Sequence, residues 1–160
     1  MENSQTQDQG KTGANSGYRQ HLSLAQVLYD MKHFEAAASQ ARQALAEMLP
    51  LFSSNNPLLA QCYTLNGQCA EASIHPLALN WKDQLAVAAD YYVKAVAVLE
   101  SGMSTRDLYQ ARVRALEMLL TLGRYDEALP MAQQMDEQAK ELAAGGLISR
   151  GESLVGTRFL

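Results

Sequence analysis

Basic residues, prolines, cysteines and long apolar runs are all scarce in this chain, and each scarcity excludes a class of protein. Lys and Arg number 13 against 17 Asp and Glu, which leaves a formal charge of −4. That is the wrong sign for following phosphates, a task that needs clustered basic side chains, so no nucleic-acid partner is expected. No apolar run approaches the roughly 20 residues that cross a bilayer. The polar opening Met1 to Gly17 also lacks the apolar region of a signal peptide. A cytoplasmic location without membrane contact is the expectation. The two cysteines, Cys62 and Cys69, are too few for a disulfide framework. Seven positions apart, they share one face of a helix and read as buried, reduced thiols.

What is present is helical in character. Apolar residues make up 48% of the 160, with alanine and leucine dominant and strand-favouring clusters of Val, Ile and Thr nearly missing. This length fits one domain with one core. The opening ENSQTQDQGKTGANSG has almost no large apolar group to offset the entropy of ordering, and residues 1–17 are expected to be disordered. From Tyr18 to about Ala144 helical periodicity is nearly continuous. Breaks at Pro50 to Asn56, Ser73 to Asn80, Ser101 to Ser104 and Gly123 help divide it into six helices. After Gly145 and Gly146 the tail LISRGESLVGTRFL carries apolar pairs seven apart, with Gly151 and Gly156 weakening any helix.

Self-comparison is the most informative step. KHFEAAASQARQAL, DQLAVAADYYVKAV and GRYDEALPMAQQMD align without gaps. Each sets a large apolar residue (Phe34, Leu85, Tyr125) three positions before an alanine (Ala37, Ala88, Ala128). Ala41 and Ala44, Tyr92 and Ala95, and Ala132 and Met135 continue the same stripe. Upstream, Leu24, Ala25 and Leu28 correspond to Ala115, Leu116 and Leu119, so each unit is a helical hairpin. This pattern resembles a tetratricopeptide repeat over roughly residues 18 to 144. MKHFEAA and LGRYDEAL are similar to that family's turn between paired helices, where a Gly or polar residue precedes an aromatic. The resemblance implies an all-α stack of antiparallel hairpins, a TPR-like α-solenoid, that binds proteins and carries no chemistry of its own.

The middle unit departs from the pattern. Six residues separate Leu28 from Phe34 and Leu119 from Tyr125, but sixteen separate Cys69 from Leu85. The insertion holds SIHPLALNWKDQ, where Pro76 forbids a continuous helix and Asn80 with Asp83 can cap the next one, predicted over Trp81 to Glu100. The large apolar residues recur after 51 and then 40 positions, against about 34 in the family. Pro130 falls in the first turn or so of its helix and need not break it. About three repeats are the practical minimum for a stack, so the tail Leu147 to Leu160 is expected to cap the last hairpin.

By resemblance, partners bind on the concave face formed by the first helix of each hairpin. Its positions are Arg19, Leu22, Gln26, Tyr29 and Asp30 in the first unit, and Gln110, Val113, Glu117, Leu120 and Thr121 in the third. Setting Leu65 equivalent to Leu24 gives Ala60, Tyr63, Gly67, Ala70 and Glu71 in the middle unit, and Gly67 leaves open a register one residue later. The expected occupant is an amphipathic helix or an extended apolar segment. The paired Lys and Asn that clamp C-terminal carboxylates in some members are missing. An adaptor or scaffold is the leading expectation, with a small chaperone for a secreted or aggregation-prone client second. A ligand-sensing or catalytic protein ranks last. Self-association through the ends of the stack also fits.

Individual residues carry two readings each. Trp81 and His75 could form a contact on the inserted loop, although the large apolar area of Trp81 favours a seal on the core. His21, His33 and His75 show no metal-ligand spacing, and neither a phosphate loop nor a nucleophile motif occurs. No cofactor, metal or catalytic residue is expected. Met118, Met131 and Met135 read as core. Of the adjacent Tyr91 and Tyr92, at most one can face inward. The carboxylates Asp126, Glu127, Asp136 and Glu137 read as solvent-facing.

Overall fold

A computed structural model describes residues 9–101 and 105–144, and among them there is no strand. Six helices follow one another: α1 (Gln9–Asp30), α2 (Phe34–Met48), α3 (Pro57–Ala72), α4 (Trp81–Glu100), α5 (Thr105–Leu122) and α6 (Tyr125–Ala144). Each packs on its sequence neighbour, and α1 also meets α3. The result is three antiparallel hairpins in a solenoid-like row. Among the described residues no helix is long and apolar enough to cross a membrane.

The two outer hairpins turn in the same way. At the end of α1 the amide of Lys32 donates to the Tyr29 carbonyl at 2.9 Å and that of His33 to the Leu28 carbonyl at 2.8 Å. At the end of α5 Gly123 donates to Leu120 at 3.1 Å and Arg124 to Leu119 at 2.9 Å. These paired bonds close a helix through a residue in the left-handed region, here Lys32 at φ 64° and Gly123 at φ 73°. Glycine suits that conformation, whereas lysine is strained by its Cβ.

The remaining boundaries have different causes. Asn56 caps α3 by accepting the Leu58 amide at 2.9 Å, with Pro57 at the first helical position. Asn80 precedes α4, but its side chain makes no capping bond. Its carbonyl accepts the amides of Asp83 and Gln84 instead, both at 3.1 Å. Helix α1 begins at Gln9, within the stretch up to Gly17 that was expected to be disordered. Extending an existing helix costs far less than nucleating one, so an N-terminal run without an apolar stripe can still continue it. Residues 1–8, and the tail from Gly145 with its expected capping role, lie outside the described residues. Pro130 sits inside α6 without ending it.

The alanine stripes let the helices approach closely. Ala37, Ala41, Ala44, Ala88, Ala95 and Ala128 are all buried, as are Met118, Met131 and Met135. Tyr125, aligned with Phe34 and Leu85, is exposed; α6 is the last described helix and packs chiefly on α5. Between hairpins, the buried Asn66 on α3 donates to the Ala41 carbonyl of α2 at 3.1 Å and to Cys62 of its own helix at 2.9 Å. Within the middle hairpin Tyr92 is 1% exposed and lies over Gly67, where a Cβ would come within 3.1 Å of the ring. Two arginines tie the third hairpin to α4. Arg112, itself buried, donates to Glu100 and Gln138, each at 2.9 Å. Arg124 donates to Asp90 at 2.8 Å and to Glu127 at 2.7 Å.

The inserted loop does not seal the core. Leu77 and Leu79 are 87% and 106% exposed. Trp81 is only half-buried and joins neither hydrophobic cluster, which corrects its expected role. The Lys82 ammonium stands 5.6 Å from its ring centre.

Candidate functional site

Successive antiparallel packing makes α1, α3 and α5 run in one direction on one side of the row. Between them lies an open groove of about 1790 Å³. Helix α1 contributes Gln26 and Tyr29. Helix α3 contributes Pro57, Ala60, Gln61, Thr64, Leu65, Gln68, Glu71 and Ala72. From α5 come Asp107, Tyr109, Gln110, Ala111, Val113, Arg114 and Glu117, and the end of α4 adds Val98, Leu99 and Ser101. A shallower recess beside α1 is bounded by Leu22, Ser23, Gln26, Gln61 and Leu65.

The structure brings Gln26, Tyr29, Ala60, Glu71, Gln110, Val113 and Glu117 together on this surface, with Leu22 in the adjoining recess. Other expected positions face elsewhere. Arg19 donates to the Tyr18 hydroxyl at 3.0 Å, and Asp30 accepts from Gln26 at 3.0 Å. Tyr63, Ala70 and Leu120 pack half-buried against the core, and the Thr121 hydroxyl turns back to the Glu117 carbonyl at 2.8 Å. On α3 the later of the two registers holds, since Gln61, Thr64, Gln68, Glu71 and Ala72 line the groove while Gly67 is buried beneath Tyr92. His75 and Trp81 are not on the groove; His75 accepts the Leu77 amide at 3.3 Å within its own loop.

The sequence placed Glu71 and Glu117 on this surface but not the Tyr92 and Arg114 that join them into a polar centre. The Tyr92 hydroxyl donates to Glu71 Oε2 at 3.0 Å. Arg114 Nη1 lies 3.9 Å from Glu71 Oε1 and 3.4 Å from Glu117 Oε2. Burial, reinforced by Glu71, holds the Tyr92 phenol well above its ordinary value. Burial also raises Tyr29, with Cys69 and Glu71 adding to it. Gln26, Gln61, Gln68 and Gln110 line the same groove, which is therefore richer in amides than the resemblance implies.

Nucleophilic chemistry is poorly served. Cys62 and Cys69 are buried and free, and burial pushes their thiols up to about 12 and about 11, far from a reactive thiolate at neutral pH. His21 Nδ1 pairs with Gln40 Oε1 at 2.7 Å, and its Nε2 lies 3.4 Å from Glu47. Among the described residues no three of His, Cys, Asp or Glu are placed to hold a metal ion.

Comparison with known proteins finds no matching family model, no curated relative and no solved structure of similar sequence or fold.

Proposed function

We propose that the chain is a protein-interaction module of the tetratricopeptide type that holds an extended segment of a partner in the groove between α1, α3 and α5. The observation carrying this reading is the amide-lined wall formed by Gln26, Gln61, Gln68 and Gln110. A side-chain amide both donates and accepts, which matches the unpaired N–H and C=O of an extended strand. A helical ligand has already used those groups within itself. Leu65, Tyr109 and Val113 supply apolar contacts between the amides, and this combination favours an extended occupant over the amphipathic helix. A reducing, cytoplasmic setting suits two unpaired buried thiols. Self-association, if it accompanies this role, would use the exposed stripe Leu24, Val27 and Met31 on the outer side of α1. No catalytic step is part of the reading.

The test is affinity capture on the immobilised chain followed by mass spectrometry, with Tyr29→Ala/Val113→Asp in parallel. The wild-type chain should enrich a partner that the double variant does not, at unchanged helicity by circular dichroism. Equal enrichment by both chains removes the groove from the account.

A further inference from the structure

We infer that the segment held in the groove is basic, and that Glu71, set in place by Tyr92, is the anchor for one of its Lys or Arg side chains. This rests on the groove being the binding surface. The described lining sets the carboxylates Glu71 and Glu117 against the single cation Arg114. That cation lies 3.4 Å from Glu117 and 3.9 Å from Glu71, so its charge is already compensated within the groove. A basic segment therefore meets a complementary field, and an acidic one is rejected by it. The net charge of −4 across the chain adds steering of the same sign.

Glu71 stands out by its geometry. One oxygen accepts the Tyr92 hydroxyl at 3.0 Å. The other is 3.9 Å from Arg114, beyond hydrogen-bond distance, and keeps its capacity to accept a donor. Tyr92 is buried against Gly67, so the hydroxyl that orients Glu71 comes from a rigid part of the core. A carboxylate fixed before the ligand arrives loses less freedom on binding. Tyr29 is also on the groove, close enough to Glu71 for the carboxylate to raise its phenol. Tyr92 is a positioning residue in this arrangement; Glu71 makes the contact.

The test uses the full chain and three fluorescein-labelled synthetic dodecapeptides. They share their apolar residues and a central proline that keeps them extended, and carry Lys, Gln or Glu at the alternate positions. Fluorescence anisotropy should rank them Lys, Gln, Glu, with the Lys peptide about tenfold tighter than the Gln peptide and its advantage shrinking in 1 M salt. Glu71→Gln should weaken the Lys peptide about two- to fivefold and leave the Gln peptide unchanged. Tyr92→Phe, which keeps the ring over Gly67, should cause a smaller loss, again for the Lys peptide alone, while Glu141→Gln on α6 should cause none. Glu71→Lys/Glu117→Lys should reverse the ranking. Equal binding of the Lys and Gln peptides overturns the basic occupant and leaves the groove reading standing. An unaltered Lys affinity in Glu71→Gln overturns the anchor. No binding by any of the three overturns both this inference and the groove.

Discussion

The outer hairpins and the middle hairpin solve the same packing problem by different means. The outer two close through tight turns at Lys32 and Gly123, with matching hydrogen bonds, and small residues at the aligned positions Ala41 and Ala132 let their helices approach. The middle one crosses from α3 to α4 over residues 73–80 and puts a tyrosine where the others have alanine. It makes room with Gly67 in the facing helix. The outer hairpins therefore depend on backbone conformation at a turn, and the middle one on side-chain fit at a seam.

Removing the seam should have the largest effect. Tyr92→Ala is expected to cost about 3–5 kcal/mol in urea unfolding; a loss under about 1 kcal/mol would show that the seam is not what holds α3 to α4. The second break is alkaline and again falls on the middle hairpin, which carries both described thiols. Cys62 titrates from an ordinary 9.0 to about 12 when folded. The folded chain keeps a proton that the unfolded chain releases. Stability is thus whole below pH 9 and declines as pH rises towards 12, by about 3 kcal/mol at pH 11 for this thiol. Cys62→Ala should flatten that slope in a series of urea melts, and an unchanged slope would assign the alkaline loss elsewhere.

Smaller effects sharpen the account of the turns. Gly123→Ala should destabilise by about 1–2 kcal/mol, because a Cβ is placed in the left-handed region. Lys32→Gly should stabilise by about 0.5–1 kcal/mol, the relief of Cβ strain exceeding the added freedom of the unfolded chain. If both changes destabilise, the two turns are not equivalent. The smallest effect belongs to the loop: Leu77→Ser/Leu79→Ser should shift stability by less than about 0.5 kcal/mol, since both side chains are already in solvent.

Legibility followed the physics of each element. The bounds of α4, Trp81 to Glu100, could be read because Pro76 and Asn80 on one side and Ser101 and Gly102 on the other interrupt a strong period. The start of α1 could not, since its first turns extend a helix without presenting an apolar stripe. On α3 the register stayed open for a related reason: Gly67 has no side chain to reveal which way it faces. Its partner was visible as a size mismatch, Tyr92 standing where Ala41 and Ala132 stand in the other units, with a glycine in the preceding helix. Arg114 was harder to place. It lies beside Val113 on α5, and its link to Glu71 is across hairpins, a relation no local pattern encodes.

The bond from Asn66 to the Ala41 carbonyl has a mechanical consequence. It acts as a shear pin between the first and second hairpins, lying where sliding α3 along α2 would have to break a buried polar contact before any water could replace it. A row of hairpins drawn apart from its two ends tends to peel one unit at a time. With that pin in place, the first two hairpins should yield to force together.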